Sequence, residues 1–264
     1  MAASSRGPIC GSKCEELDAG TNALVCMPAL SKTDRPWVPA CTGPGRGQIE
    51  KQKTKRTLVL DPLAGDKTPY TAPALPMVVV YRGLGPETGK EWFKYDTADW
   101  MVDQIYNNSS LPLEFRDNVI FVVPYDYSEK CKLLDCLHEA EQKLIDNRNG
   151  ETSFYSLCGF SRGGACVYDP LNLYLRDWSI LGLIDPVLPS NIEVLDNFAH
   201  RIRCVYGLKT WGDKDTQGRR QVFFEHLASK GAKVVWREDV IHQDMPALFF
   251  YTYGSDLVFS SPCE

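Results

Sequence analysis

A lone serine stands between glycines in the stretch "GFSRGG", residues 159–164, with an apolar run before it and another after it. Residues 159–163 fit the pattern Gly-x-Ser-x-Gly, in which the serine sits on a sharp turn between a strand and a helix. Glycines are needed there because neighbouring backbone passes too close for a Cβ atom. The pattern predicts that Ser161 is a nucleophile, and the competing interpretation is a glycine-rich turn with an incidental serine.

A serine hydroxyl attacks efficiently only when a base removes its proton, and the chain has four histidines to supply one. His138 and His226 fall inside predicted helices and His200 lies in a short connection, so we interpret these three as surface or packing residues. His242 lies in a loop between the last predicted strand and the last predicted helix. We therefore predict that His242 is the base, against the alternative of a solvent-exposed loop histidine.

The third member of such a site is a carboxylate that orients the imidazole and stabilises its charged form. The chain order serine, acid, histidine predicts this carboxylate between Ser161 and His242, after the penultimate strand. Our first candidate is Asp215 in "WGDKDTQ", the second is Asp213, and the weakest is Asp185, which ends the preceding strand. The structural alternative for Asp215 is an N-cap of the helix that follows.

Acyl transfer also needs donors for the negative oxygen of the tetrahedral intermediate. The backbone amides of Arg162 and of Leu84, in the loop of "VVVYRGLGPETG", are the predicted donors. The side chains of Arg82 and Arg162 suggest a site for an anionic group of the substrate. In the alternative interpretation, both arginines are held by neighbouring carboxylates such as Asp126 and Asp169.

The predicted substrate contacts share a position at a strand end or in an adjoining loop. They are Arg82, Phe160, Trp211 and Tyr125, with further pocket walls at Leu84, Trp92, Phe93, Tyr127, Pro186 and Val187.

The elements that position these residues follow an alternating pattern. Short apolar runs such as "PMVVVYRG" and "NVIFVVPYD" alternate with helix-length segments at residues 97–107, 130–147, 163–175 and 217–230. The runs are apolar on both faces, which is typical of parallel strands covered by helices on each side. We predict an α/β fold with a mostly parallel central sheet, whose strands present the site at their carboxyl ends.

The composition indicates one large domain. The chain has 264 residues, of which 44% are hydrophobic, and we predict an N-terminal extension over residues 1–55 and a catalytic domain over residues 56–264. The net charge of −5 argues against a nucleic-acid partner, and the basic run at residues 50–56 is interpreted as a solvated linker. Only a dozen residues, 190–201, separate two strands where a cap domain would be inserted, so we expect little or no cap.

The cellular compartment is predicted from targeting signals and from the number and spacing of the cysteines. No run of about 18 apolar residues suggests an integral membrane segment, and residues 1–20 lack the apolar core of a secretory signal. The ten cysteines have neither the density of a disulfide scaffold nor the spacing of a zinc site. We therefore expect a cytoplasmic protein, and the sequence predicts no oligomeric state.

Three segments together resemble the α/β-hydrolase superfamily, in particular its lid-poor branch of carboxylesterases, acyl-protein thioesterases and dienelactone hydrolase-like enzymes. "VVVYRGLGPETGKEW" is similar to the branch's strand and "HGLGDTG" loop, "GFSRGG" to its "GFSQGG", and "WGDKDT" to its Gly-x-x-Asp turn. Arg82 replaces the histidine of the "HG" pair, and no glycine immediately precedes His242. The resemblance runs from about residue 56 to the C-terminus.

The resemblance implies an α/β-hydrolase fold and a serine hydrolase that cleaves a small-molecule carboxylic ester or thioester without a metal or organic cofactor. Two alternatives stay open. The same acyl-enzyme can pass its acyl group to an acceptor other than water, as an acyltransferase or cyclase does. The scaffold can also serve a non-catalytic ligand-binding protein, because fold does not fix function.

Overall fold

The computed structural model of the chain describes residues 52–53, 57–62, 74–83, 98–106, 118–125, 133–148, 152–208, 210 and 214–259. The strands are β1 (Gln52–Lys53), β2 (Thr57–Leu60), β3 (Leu75–Tyr81), β4 (Ile120–Pro124), β5 (Thr152–Phe160), β6 (Ile180–Ile184), β7 (Ile202–Gly207) and β8 (Lys233–Arg237). The α-helices are α1 (Ala98–Tyr106), α2 (Leu133–Arg148), α3 (Gly164–Val167), α4 (Pro170–Leu173), α5 (Lys214–Ser229) and α6 (Met245–Phe259). Single turns or short runs of 3₁₀-helix cover Ser161–Gly163, Ile192–Arg201 and His242–Asp244.

The described strands form one eight-stranded sheet in the order β1-β2-β4-β3-β5-β6-β7-β8. The strands from β4 through β8 in this order pair in parallel, whereas β2 is antiparallel to both β1 and β4. The prediction of a mostly parallel sheet is therefore confirmed. Parallel pairing brings the carboxyl ends of the central strands β3, β5, β6 and β7 to a single edge.

Both faces of the sheet are covered, as the apolar runs predicted. Along β3, Val78 and Val80 pack into a core with α1 and α6, while Met77 and Val79 pack into a second core with α2 and α5. All seven residues of β3 are buried, as are all five of β4 and of β6. Successive side chains on a strand point to opposite faces, so a sheet between two helical layers needs an unbroken apolar run.

The prediction of one helix over residues 163–175 is wrong. The chain forms the 3₁₀ turn Ser161–Gly163, then α3, and then a separate α4. The break lies at Asp169, which is extended because the next residue is Pro170. The Asp169 carboxylate accepts a hydrogen bond from the amide of Leu171 over 2.9 Å and so caps α4 rather than holding an arginine.

The N-terminal boundary stays a prediction, because residues 1–51 lie outside the described part of the chain. The interpretation of residues 50–56 as a linker is corrected in one respect, since Gln52–Lys53 pairs with β2 as the edge strand of the sheet. Between β6 and β7 the chain adds the ten-residue 3₁₀-helix Ile192–Arg201 and no inserted domain. None of the helices in the described ranges has the length and apolar character to cross a membrane.

Substitution of Phe249 tests the core beneath the sheet. Phe249 lies in α6, is fully buried, and packs edge-to-face against Phe250 and Tyr253. We expect Phe249→Ala to lower the free energy of unfolding by about 3–5 kcal/mol, because a cavity is left under a sheet that cannot collapse into it. Leu171→Ala is the control, since Leu171 is 82% exposed and its loss should cost less than about 0.5 kcal/mol. Urea unfolding measures both, and equal midpoint shifts would contradict this packing.

Candidate active site

Ser161 follows β5 on a strained turn. Its φ is +56°, in the left-handed region that residues with a Cβ atom rarely occupy. The flanking glycines make the turn sterically feasible: a Cβ atom on Gly159 would lie 2.7 Å from the amide nitrogen of Gly164, and one on Gly163 would lie 2.6 Å from the carbonyl oxygen of Tyr81. The glycines therefore have the steric role that the sequence pattern predicted for them.

The loop after β3 begins directly against this turn. A Cβ atom on Gly83 would lie 3.2 Å from both the Phe160 ring and the Cβ atom of Ser161. The amide of Arg162 follows Ser161 at the start of the 3₁₀ turn, which leads into α3. Backbone amides at the start of a helical segment point outward without an intrahelical partner, which suits them to stabilise developing negative charge.

Asp185 lies beside Ser161 because of the strand register. Phe160 of β5 pairs with Ile184 of β6, so the residues that follow them, Ser161 and Asp185, leave the sheet side by side. The amide of Val187 donates a hydrogen bond to the carbonyl oxygen of Ser161 over 2.9 Å, which ties the two turns together. Asp185 also has a positive φ, of +42°, and among the described residues other than glycine only it and Ser161 do so.

The side chain of His242 lies next to Asp185, although the two residues are far apart in the sequence. His242 begins the 3₁₀ turn between β8 and α6, and its Nδ1 lies 2.5 Å from Oδ2 of Asp185. A carboxylate can only accept, so Nδ1 carries the proton in this contact and Nε2 is the nitrogen left to act as a base. The imidazole stacks on the ring of Phe160, with the ring centroids 4.6 Å apart.

The Ser161 hydroxyl makes no hydrogen bond to His242 within the described residues. Such bonds are often long before substrate binds and tighten in the complex. What the structure brings together is the strained serine turn, the stacked imidazole and the buried carboxylate.

The Asp185 carboxylate is fully buried and has a partner for each oxygen. Oδ2 faces His242, while Oδ1 accepts hydrogen bonds from the amide of Gly207 over 3.1 Å, from Oγ1 of Thr210 over 3.3 Å, and from Nη2 of Arg220. Arg220 pairs with it as a buried ion pair, since its side chain is only 3% exposed. These donors and the buried cation satisfy the hydrogen-bonding capacity of the carboxylate away from water.

The carboxylate bonded to Nδ1 of His242 is that of Asp185, whereas the first candidate from the sequence was Asp215. Asp215 is the second residue of α5 and not the N-cap that the structural alternative assigned to it, and Asp213 lies outside the described residues. Asp185, the weakest of the three sequence candidates, makes the contact instead. The sequence rule assumed that the acid follows the penultimate strand, whereas register brings the end of β6 next to the serine turn.

Arg220 is a site residue that the sequence reasoning missed. It shares a helical stripe with Phe223, Phe224 and Leu227, all buried in the core, so it occupies a core-facing position of α5. An arginine on an apolar stripe signals a buried anionic partner, because arginine is almost never fully buried without one. The aspartate in "LIDP", directly after a wholly buried strand, is the matching signal.

Among the residues predicted to contact substrate, Phe160 and Arg82 have side-chain contacts that the structure describes. Phe160 is buried between Trp100 and the imidazole of His242, so it supports the imidazole rather than lining an open wall. The Arg82 guanidinium donates to the backbone carbonyl oxygens of Tyr125 over 2.6 Å and of Gly83 over 3.3 Å.

Tyr125 is half-buried and Arg162 is exposed, and their roles toward a substrate stay predictions. Leu84 and Trp211 lie outside the described residues, as does Asp126, and their predicted roles stay predictions.

The other histidines lie elsewhere. Nε2 of His226 lies 2.6 Å from Oδ1 of Asp196, and the hydrogen bond to His226 holds the pKa of that aspartate below its usual value. His200 accepts a hydrogen bond from Arg201, and His138 is exposed on α2. Within the described ranges, no three His, Cys, Asp or Glu side chains are grouped to hold a metal ion.

Substitution of Gly163 tests the serine turn. The added methyl group of Gly163→Ala would meet backbone oxygens of Tyr81 and Arg82 that belong to the sheet and cannot move freely. We expect a loss of about 1–3 kcal/mol in the free energy of unfolding, as overpacking costs. Gly218→Ala is the matched control: Gly218 lies in α5 with nothing within 4 Å of an added Cβ, so alanine should stabilise by roughly 0.5–1 kcal/mol. Thermal unfolding that shifts in the same direction for both would contradict the close approach.

Comparison with known proteins supports the fold. No protein-family model matches the sequence, and no curated protein resembles it significantly in sequence. Solved structures do resemble it. MPT51 of Mycobacterium tuberculosis has a TM-score of 0.51 at 12% identity, covering 81% of this chain and 98% of that one.

Two further structures reach a TM-score of 0.50. S-formylglutathione hydrolase from Staphylococcus aureus is 12% identical, covering 77% of this chain and 90% of its own. A ferulic acid esterase is 11% identical, covering 79% and 95% respectively. Together with the strand order and the serine turn, these similarities show that the chain has the α/β-hydrolase fold that its motifs predicted.

Proposed function

We propose that the protein is a serine hydrolase that cleaves a carboxylic ester or thioester through an acyl-enzyme on Ser161. The proposal rests mainly on one observation: the imidazole of His242 is stacked beside the serine turn and bonded through Nδ1 to a buried aspartate. A base, an orienting carboxylate and a strained nucleophile turn at one sheet edge are the parts that acyl transfer by serine requires.

In the first half of the reaction, Oγ of Ser161 attacks the carbonyl carbon while Nε2 of His242 takes its proton. Asp185 keeps the imidazole in the tautomer with Nδ1 protonated and stabilises the imidazolium. The carbonyl oxygen becomes negatively charged, and the amide of Arg162 together with the amide predicted at Leu84 donates to it. Collapse of the intermediate expels the alcohol or thiol, which receives the proton from His242.

In the second half, water enters and Nε2 of His242 removes one of its protons as the oxygen attacks the acyl carbon. A second tetrahedral intermediate forms at the same donors and breaks the bond to Oγ of Ser161. The proton returns to Oγ, the carboxylic acid leaves, and the enzyme is restored. The similarity in fold to a structure named S-formylglutathione hydrolase and to one named ferulic acid esterase favours hydrolysis over acyl transfer to another acceptor.

Substitution of Asp185 and of Asp215 tests which of the two aspartates orients His242. Asp185→Asn should lower kcat/KM for a p-nitrophenyl ester by about 10⁴-fold, because the amide favours the wrong tautomer of the histidine. Asp215→Asn should stay within about twofold of the wild type, since His242 is bonded to Asp185. If a steady-state assay instead shows the larger loss of kcat/KM in Asp215→Asn, the acid is Asp215 and not Asp185.

A fluorophosphonate probe tests the nucleophile independently of substrate choice. Wild-type protein should be labelled at Ser161, and labelling should disappear in Ser161→Ala and fall sharply in His242→Asn. Peptide mass spectrometry locates the label. A folded wild-type protein that takes no label would favour a ligand-binding protein on the hydrolase scaffold.

A further inference from the structure

Arg220 lies in α5 with its side chain turned into the protein beside the proposed acid. Its Nη2 donates to Oδ1 of Asp185, and its Nη1 donates to the carbonyl oxygen of Pro186 over 2.6 Å. The guanidinium therefore binds both the carboxylate and the peptide that directly follows it. A planar group with fixed donors holds two acceptors in a fixed relation, which an ammonium on a flexible stem does less well.

The guanidinium is itself held by an aromatic pair. Its central carbon lies 5.4 Å from the centroid of the Phe224 ring, one helical turn away in α5. Phe224 in turn stacks on Tyr206 of β7, with the ring centroids 3.9 Å apart. Burial lowers the pKa of Arg220 and the charge of Asp185 opposes that shift, but arginine retains its proton in proteins.

Asp185 needs such support because its backbone is strained. A φ of +42° is unfavourable for a residue with a Cβ atom and persists only where the surroundings hold it. The bond from Arg220 to Pro186 fixes the peptide at this point, and the bond to Oδ1 fixes the side chain. With Oδ1 occupied, Oδ2 is the oxygen presented to Nδ1 of His242.

We propose that Arg220 is a positioning residue of the active site: it holds the Asp185 carboxylate oriented so that Oδ2 fixes the imidazole of His242. This inference rests on the proposed function. Arg220 is bonded to Asp185 and Pro186, and its proposed effect on the reaction is transmitted through Asp185. Without the two donors of Arg220, the Asp185 carboxylate can rotate toward its other donors, and the imidazole then loses the oxygen that orients it.

The first experiment detects the hydrogen bond between His242 and Asp185 directly. A short hydrogen bond from an imidazole Nδ1 to a carboxylate gives a proton resonance far downfield, which one-dimensional NMR detects. His226 also bonds an aspartate, so the resonance is assigned by its loss in His242→Asn. We expect Arg220→Met to lose the assigned resonance while remaining folded by circular dichroism. The matched control is Arg219→Met, since Arg219 is the exposed neighbour on the same helix, and it should retain the resonance.

The second experiment measures coupling in kcat/KM. Arg220→Met should lower kcat/KM by about 100-fold, the loss that a misplacement of roughly 1 Å in an active site causes. In an Asp185→Asn background the same change should cost less than about threefold, because the group through which Arg220 acts is already gone. Arg220→Lys keeps the charge and should recover at least about tenfold of the lost activity.

The outcomes separate this inference from the proposed function. If Arg220→Met does not fold, Arg220→Gln takes its place with the same expected results, since the shorter amide carries no charge and cannot bind Asp185 and Pro186 as the guanidinium does. A folded variant of either kind that keeps both the resonance and wild-type kcat/KM overturns the positioning role, as does an equal loss in the Asp185→Asn background. A wild-type protein that neither hydrolyses esters nor takes a fluorophosphonate ends the proposed function, while the resonance still decides whether Arg220 orients Asp185.

Discussion

The site depends on one buried carboxylate. Asp185 is out of contact with water, yet it is placed to face an imidazole, and a bare charge in that position would cost several kcal/mol. The structure offsets this cost with a buried arginine, a backbone amide from the end of β7 and a threonine hydroxyl. Each donor comes from a different point along the chain. The carboxylate therefore couples the serine turn, the histidine loop and helix α5 into one unit.

Backbone strain is concentrated at the same place. Among the described residues with a Cβ atom, only Ser161 and Asp185 have a positive φ, and each directly follows a central parallel strand. Strain of about 1–3 kcal/mol at each position is tolerated because the surrounding contacts over-determine the backbone. At Ser161 these contacts are the close approach of glycine backbone to β3, and at Asp185 they include the bond from Arg220 to Pro186. Both strained residues therefore lie side by side at the carboxyl ends of neighbouring strands.

Much of the fold was accessible from the sequence because its signals are local. An unbroken apolar run predicts a strand between two helical layers, and the runs in "PMVVVYRG" and "NVIFVVPYD" form β3 and β4 of the sheet. Gly-x-Ser-x-Gly predicts the serine turn because the turn has no room for a Cβ atom at either glycine, and both glycines lie within the same five residues. The prediction at residues 163–175 failed because helical periodicity was weighed above the proline at position 170, which ends a helix at the residue before it.

The sequence by itself determined the scaffold and the serine turn, since these follow from residue type and order along the chain. Only the tertiary structure decided which aspartate meets the imidazole, because that depends on the register between β5 and β6. The burial of Arg220 was decided in the same way. The ion pair between Asp185 and Arg220 forms only when α5 packs on the sheet. No local sequence pattern predicts that these two side chains then lie in contact.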